Sequence, residues 1–196
     1  VGLGYVGLPL AEAYIKQNIS VIGYDISKER ADQLNGGRSG MRHISDERVQ
    51  IMNDSGFFKA TSDALDLKET DAILIAVPTP LDAHYQPDLS FVVGTCNTLK
   101  SQLRKGQLVV LESTTYPGTT EEIMKPILEE SGLKAGVDFF LAYSPEREDP
   151  GNPNFETATI PKVIGADSED ERTAAKAVYN KIVETVMVSN ARTAEA

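Results

Sequence analysis

The chain has one cysteine, few basic side chains and no long apolar run, and each shortage excludes a class of protein. Its single cysteine, Cys96, cannot form an internal disulfide framework and fits a reducing cytoplasm, which is the expected location. No apolar run approaches the roughly 20 residues of a membrane span, and no signal-peptide pattern is present. With 19 Lys and Arg against 29 Asp and Glu, the net charge of -10 argues against nucleic acid or an anionic membrane as a partner.

Short apolar runs separated by helical patterns predict the fold class. Hydrophobic residues make up 41% of the 196-residue chain, which is ordinary for a protein that buries a full core. Residues 71–77, 107–111 and 139–143 are continuous apolar runs, typical of parallel strands that are covered on both faces. The sequence therefore predicts an α/β fold, with a Rossmann-like, doubly wound, mostly parallel sheet and helices on both faces.

The amino end carries three glycines, Gly2, Gly4 and Gly7, in the G-x-G-x-x-G spacing. In a dinucleotide-binding turn the first permits the tight turn, the second lets a pyrophosphate approach bare backbone, and the third lets the next helix pack closely. The pyrophosphate would lie at the N-terminus of that helix, where unpaired N–H groups and the helix dipole favour anions. The motif alone is weak evidence, so its context has to support it.

Residues 20–25 predict a strand that ends in Asp25, 18 positions after Gly7 and close to the spacing of a ribose-binding acid. A carboxylate there accepts the ribose hydroxyls and repels a 2′-phosphate, which favours NAD over NADP. The alternative is a glycine-rich turn in which Asp25 is a helix N-cap. Arg30 is placed either to flank the adenosine end of the cofactor or to lie on a solvated helix surface, and its spacing does not decide between the two.

Two polar turns follow buried strands. Pro78–Thr79–Pro80 stops the strand that ends at Val77, and Thr79 is a candidate cofactor contact because such turns face the ligand crevice. The hydroxyl-rich segment 112–119 follows the next strand. Its alternative interpretation is that Ser113 and Thr119 only cap turns and helices.

A third turn, residues 144–153, is long, charged and rich in proline. At the crevice such a stretch indicates a substrate loop, and the alternative is a solvated acidic loop. Cys96 lies on the apolar stripe of a predicted helix, so we interpret it as a small buried side chain and not as a nucleophile. His43 lies in a polar stretch, and no role is assigned to it.

These segments occur in one chain in a fixed order: the glycine turn, Pro-Thr-Pro, Glu-Ser-Thr-Thr-x-Pro-Gly-Thr and Ser-Pro-Glu-Arg-x-x-Pro-Gly. Together they resemble the UDP-sugar 6-dehydrogenase family, and the resemblance covers the N-terminal, NAD-binding half of that family. The loop Pro-Glu-Arg-Glu-Asp-Pro-Gly-Asn-Pro is similar to the N-acetylhexosamine branch. The expected substrate is UDP-N-acetylglucosamine, with UDP-N-acetylmannosamine or UDP-glucose as the alternative.

The resemblance implies a two-stage oxidation of the sugar C6 alcohol to a uronic acid, through an aldehyde and a cysteine thioester, with two NAD reduced. The product would serve the synthesis of surface polysaccharide precursors. In the family pattern the glycine turn lines the pyrophosphate, the strand-ending acid and the following arginine hold the adenosine ribose, and the later turns reach the nicotinamide. By this resemblance the cofactor contacts are Gly2, Gly4, Tyr5, Val6, Gly7, Asp25, Arg30, Val77, Thr79 and Thr114.

By the same resemblance, Thr114 helps to hold a catalytic water, and Glu146 with Arg147 serves the substrate and the chemistry. The chain departs from the UDP-glucose branch at Pro150, where that branch has a second loop glutamate, so the general-base role of Glu146 does not transfer simply. The cysteine nucleophile and the catalytic lysine of the family belong to its second half. The resemblance therefore implies that this polypeptide binds NAD but does not turn over UDP-sugar by itself.

The ends of the chain lead to a further expectation about its domains. The chain begins directly before Gly2, whereas a Rossmann unit carries a strand ahead of that turn, so the first strand is expected to be truncated. We expect an NAD-binding domain at residues 1–190 and the start of a connecting helix at 191–196. In the family the dimer contacts centre on that helix, which implies a homo-oligomer for a full-length protein.

Two other functions fit parts of the pattern. A β-hydroxyacid-type dehydrogenase shares the N-terminal fold and makes one hydride transfer, but it does not carry the Ser-Pro-Glu-Arg loop. A regulatory NAD-sensing module without catalysis would need the glycine turn alone, and the hydroxyl-rich turns at two strand ends argue against it.

Overall fold

The computed structural model describes residues 1–81, 86–145 and 161–196. The helices alternate with the strands along most of the chain, which is the order predicted for an α/β fold. The strands are β1 (Val21–Tyr24), β2 (Phe58–Thr61), β3 (Ala72–Ile75), β4 (Leu108–Leu111), β5 (Phe140–Tyr143), β6 (Lys162–Gly165) and β7 (Val186–Ser189). The helices are α1 (Gly7–Ile15), α2 (Lys28–Asn35), α3 (Asp46–Asp54), α4 (Ser90–Leu99), α5 (Lys125–Glu129), α6 (Glu169–Tyr179) and α7 (Ala191–Ala194).

The described strands form two sheets. β1 and β2 pair in parallel, and the second sheet has the order β3-β4-β5-β6-β7. Within the second sheet the pairs are parallel except β5 with β6, which meet in antiparallel fashion at Tyr143 and Gly165. The predicted α/β fold with a mostly parallel sheet is therefore confirmed.

The first two residues join the two sheets. The amino group of Val1 donates to the carbonyl of Leu74 at 2.7 Å, and the N–H of Ala76 donates to the carbonyl of Val1 at 2.8 Å. On the other side the N–H of Gly2 donates to the carbonyl of Tyr24 at 2.8 Å. Val1 and Gly2 thus lie between β1 and β3 and link them by backbone hydrogen bonds.

An apolar groove extends from these two residues between β1 and β3. Its volume is about 640 Å³, and its lining includes Leu10, Val21, Leu74 and Val178.

The core has a layer on each side of the larger sheet. One apolar cluster packs α4, α5 and the segment Thr119–Met124 on one face, and another packs α1 and α6 on the opposite face. Cys96 lies fully buried in the first cluster, and burial raises the pKa of its thiol to about 12. The interpretation of Cys96 as a buried apolar side chain is therefore confirmed.

Among the described residues no helix is long and apolar enough to cross a membrane. The same part of the chain holds no cluster of three or more His, Cys, Asp or Glu side chains suited to a metal ion.

Candidate functional site

The glycine turn lies where the carboxyl ends of β1 and β3 meet the amino end of α1. Gly2 has a φ of +86°, and a Cβ there would come within 2.5 Å of the carbonyl oxygen of Ala76. A Cβ on Gly7 would come within 1.8 Å of the carbonyl oxygen of Gly2. The protein's own packing therefore requires both of these glycines.

Gly4 differs from the other two glycines because the fold itself does not require it. A Cβ on Gly4 would meet no atom within 4 Å, and its φ lies outside the left-handed region. Gly4 is also exposed. Its bare backbone leaves room for a ligand to approach, as the middle glycine does in a pyrophosphate-binding turn.

The amino end of α1 is open to an anion. Among the described residues no side chain caps this end, and no acidic residue occupies the first turn. The N-cap is Val6, and the neighbouring Tyr5 is 68% exposed. The first N–H groups of this helix and its dipole can therefore act on a bound phosphate.

Asp25 holds the glycine turn to the end of β1. Its Oδ2 accepts the N–H of Leu3 at 3.0 Å, and its Oδ1 accepts the N–H of Ser27 at 2.9 Å. Each carboxylate oxygen keeps acceptor capacity for a ribose hydroxyl. The N-cap of α2 is Ser27, so the alternative interpretation of Asp25 as a helix cap is wrong.

Arg30 turns inward from α2 and binds the backbone of the glycine turn. Its Nε and Nη2 donate to the carbonyl of Leu3 at 3.0 and 2.9 Å, and Nη1 donates to Gln33 Oε1 and to the carbonyl of Ser39. Arg30 is therefore not a solvated surface residue. It fixes the backbone next to Gly4.

The turns after β3 and β4 are tied together. Ser113 is buried, and its Oγ donates to the carbonyl of Val77 at 2.7 Å. Thr114, the next residue, is exposed, and Thr79 is half-buried in the neighbouring turn. The hydroxyl of Ser113 therefore holds both turns at one edge of the sheet and leaves the hydroxyl of Thr114 open to a ligand.

Several of the predicted contacts thus share one edge of the fold. The end of β1 carries Asp25, the amino end of α1 carries the glycine turn, and the ends of β3 and β4 carry Val77, Thr79 and Thr114. Ligands of open α/β sheets bind in this crevice, outside the carboxyl ends of the strands. Glu146, Arg147 and Pro150 lie outside the described residues.

A buried ionic network that the sequence patterns did not predict lies behind this edge. Glu112 is fully buried at the end of β4, and Lys162 Nζ lies 2.6 Å from its Oε2. The hydroxyl of Tyr179 donates to Oε1 of the same carboxylate. Burial, and then the charge of Glu112, raise the pKa of Tyr179 well above its usual value, so the phenol remains a donor. Lys162 Nζ also donates to the carbonyl of Pro145 at 3.3 Å, where the charged loop begins.

A signal for this network was present in the sequence. Glu112 directly follows a run of four apolar residues and Lys162 opens another strand, and a charge that is buried at such a position requires a partner. No such signal marked His43, which stacks on Tyr5 with ring centroids 4.4 Å apart and an interplanar angle of 13°. His43 thus covers one face of the exposed ring in the glycine turn.

Comparison with known proteins gives a consistent result. Residues 1–183 match the sequence model of the UDP-glucose/GDP-mannose dehydrogenase family, NAD binding domain. The Staphylococcus aureus protein CapL is 40% identical over 184 residues, which are 93% of this chain and 42% of that protein. A UDP-N-acetyl-D-glucosamine 6-dehydrogenase of Pseudomonas aeruginosa is 37% identical over 199 residues, which cover 100% of this chain and 46% of that enzyme.

A solved structure agrees with these sequence matches. The UDP-D-ManNAc dehydrogenase of Pyrococcus horikoshii has a TM-score of 0.92 at 37% identity, and the match covers 99% of this chain and 47% of that one. The chain spans less than half the length of the relatives that it matches.

Proposed function

Since this chain belongs to the UDP-glucose/GDP-mannose dehydrogenase family, in which it matches the NAD-binding domain, we propose that it is the NAD-binding portion of a UDP-N-acetylhexosamine 6-dehydrogenase that acts in the cytoplasm. Relatives named for UDP-N-acetyl-D-glucosamine and for UDP-N-acetyl-D-mannosamine support the hexosamine class. The loop sequence that begins at Pro145 supports UDP-N-acetylglucosamine as the substrate.

The observation that carries the proposal is the bare backbone of Gly4, which the packing of the chain does not require. Beside it lie the open amino end of α1 and the carboxylate of Asp25, which accepts the N–H of the neighbouring Leu3 and follows Gly7 at about the sequence spacing of a ribose-binding acid. The donors and acceptors at this edge therefore fit NAD.

Each contact has a task in this proposal. Asp25 accepts the hydroxyls of the adenosine ribose, and its negative charge disfavours the extra phosphate of NADP. Gly4, Tyr5 and Val6 face the pyrophosphate, and Arg30 maintains their backbone by its bonds to the carbonyl of Leu3. Gly2 and Gly7 keep the turn tight enough for α1 to approach.

The second half of the crevice serves the reacting end of the cofactor. NAD, when bound, accepts hydride from the C6 carbon of the sugar. Val77 and Thr79 contact its central part, and the exposed hydroxyl of Thr114 orients the nicotinamide end and holds a water. Glu146 and Arg147 are assigned to the substrate on the family pattern of the loop.

The polypeptide of 196 residues is expected to bind NAD and to produce no steady NADH from UDP-N-acetylglucosamine. The reason is that Cys96, its single cysteine, is fully buried, with a thiol pKa raised to about 12 by that burial. NADH absorbance with the isolated chain tests this expectation, and sustained turnover would contradict it. In an assay of the parent protein, two NADH per sugar support the proposal. One NADH per sugar would indicate a single-step dehydrogenase instead, and none would indicate an NAD sensor.

Replacement of Gly4 with alanine tests the site directly. We expect Gly4→Ala to leave thermal stability unchanged, because the added methyl group meets no protein atom. It should weaken NAD binding at least about tenfold, since the methyl group occupies the path of the pyrophosphate. Isothermal titration calorimetry with NAD measures the effect.

Gly94→Ala is the matched control, because Gly94 is also exposed and a Cβ there also meets no atom within 4 Å, but this glycine lies in α4, away from the glycine turn. This control should bind NAD as tightly as the unaltered chain. If Gly4→Ala bound NAD with unchanged affinity, the pyrophosphate would have to lie elsewhere.

A further inference from the structure

A buried carboxylate from the carboxyl end of the chain holds the turn that carries Thr114. Glu195, directly after α7, is 6% exposed. Its Oε2 accepts the N–H of Gly118 at 2.5 Å, and its Oε1 accepts the N–H and the hydroxyl of Thr120, both at 2.8 Å. Both oxygens are thus engaged with a segment that lies 75 or more positions away along the chain.

The N–H groups that Glu195 accepts begin a helical segment that lacks its own cap. Gly118 is the N-cap residue of the π-helical segment Thr119–Met124 and has a φ of +100°. Because glycine has no side chain, this residue cannot form a capping bond of its own. A carboxylate at such an end satisfies the open N–H groups and interacts favourably with the helix dipole. Glu195 therefore supplies, from another element, the cap that the local sequence does not provide.

Glu195 is buried because α7, the helix before it, packs closely against β6. A Cβ on Gly165 would come within 2.5 Å of Ala194 Cβ and within 2.8 Å of Ala191 Cα, so the helix rests directly on the strand backbone. The side chain of Asn190 caps α7 by accepting the N–H of Thr193 at 2.7 Å. The close packing of α7 on β6 places Glu195, the residue after the helix, against the 113–120 turn.

The turn is therefore held at both of its ends. At the first end Ser113 Oγ binds the carbonyl of Val77, and at the second end Gly118 and Thr120 bind Glu195. Thr114 lies between these two attachments and is exposed. Loss of the second attachment would release the backbone that directs its side chain.

We propose that Glu195 is a positioning residue for the cofactor site: its carboxylate fixes the 113–120 turn, and α7 thereby controls the placement of Thr114 at the nicotinamide end of NAD. This inference rests on the proposed function, because it assigns that turn to the nicotinamide half of the cofactor. The adenosine half, held at Gly4 and Asp25, is independent of Glu195.

The independence of the two halves provides the test. ADP-ribose carries the adenosine, the pyrophosphate and the second ribose but no nicotinamide. In the 196-residue chain, Glu195→Gln should weaken NAD binding about tenfold, as expected for the loss of a charge-assisted hydrogen bond, because an amide presents one acceptor where the turn needs two. The affinity for ADP-ribose should stay unchanged. Hydrogen exchange at Gly118 and Thr120 should be faster in this variant.

Glu171 offers a matched control. It is also 6% exposed, and it accepts the N–H of Leu141 and both the N–H and the hydroxyl of Ser168, so it makes the same kinds of bonds at α6. Glu171→Gln should lower stability without changing the ratio of NAD to ADP-ribose affinity. Glu195→Asp keeps the charge, so its ratio of NAD to ADP-ribose affinity should lie between those of Glu195→Gln and the unaltered chain. It also provides a second variant if Glu195→Gln does not fold.

The outcomes separate the two proposals. Selective loss of NAD affinity in Glu195→Gln, with partial recovery in Glu195→Asp, supports the positioning role. Equal weakening of NAD and ADP-ribose, or no weakening of either, overturns it and leaves the proposed function in place. If the unaltered chain bound neither nucleotide, the proposed function would be overturned together with this inference.

Discussion

Replacement of Lys162 with methionine is expected to lower the free energy of unfolding by about 3–5 kcal/mol. Lys162 Nζ lies 2.6 Å from Oε2 of Glu112, which is fully buried. Methionine fills a similar volume but leaves the carboxylate without its cation in an apolar environment. An unpaired buried charge then destabilises the folded state. Urea unfolding followed by circular dichroism measures the change.

A second substitution isolates the cause. In the double variant Lys162→Met with Glu112→Gln, the buried charge is gone, and the amide oxygen still accepts the hydroxyl of Tyr179. At least half of the lost stability should therefore return, and the double-mutant cycle gives the coupling between the two sites. An additive result, with no recovery, would mean that the loss comes from packing and not from the unpaired charge.

An exposed ion pair serves as the control for Lys162. Lys28 and Asp32 lie 2.5 Å apart on α2, with 76% and 62% of their side chains exposed. Lys28→Met should change stability by less than about 0.5 kcal/mol, because solvent already screens that pair. Similar losses for Lys28→Met and Lys162→Met would contradict the role given to burial.

Replacement of Gly7 with alanine should have the other large effect, a loss of about 3 kcal/mol or more in stability together with loss of NAD binding. The new Cβ would lie 1.8 Å from the carbonyl oxygen of Gly2. That oxygen belongs to backbone, and the N–H of Gly2 is bonded to the carbonyl of Tyr24, so a side-chain rotation cannot relieve the overlap. Helix α1 would have to move away from the sheet, and the phosphate-binding turn would open.

The control for Gly7→Ala is again Gly94→Ala, in which a helical glycine with open space around it is replaced. That variant should be neutral or more stable by up to about 1 kcal/mol, because alanine is the better helix former. Thermal unfolding and NAD titration of both variants make the comparison. Near-native stability of Gly7→Ala would refute the close packing of α1 on the glycine turn.

The two glycine variants separate two requirements that the sequence motif combines. Gly7 is required by the contact between α1 and the turn, whereas under the proposed function Gly4 is required by the approach of a ligand. We therefore expect Gly7→Ala to damage both folding and binding, and Gly4→Ala to damage binding alone. The sequence spacing by itself does not make this distinction.

The sequence by itself determined the features that depend on near neighbours along the chain. The apolar runs predicted strands because a pattern of consecutive apolar residues can be read within a few positions of the sequence. The apolar stripe of a predicted helix likewise predicted that Cys96 is buried. The glycine spacing predicted the turn, and Asp25 followed at the distance that one βαβ unit sets. The order of the motifs indicated the family that the comparisons confirm.

The tertiary structure alone decided which distant residues meet. Glu195 reaches Gly118, Lys162 reaches Glu112, and Arg30 turns inward to Leu3. No local pattern predicts these pairs, because each depends on which strands become neighbours and on how closely a helix rests on them. Burial then makes each pairing necessary, since a charge removed from water is stable only where the fold supplies its partner.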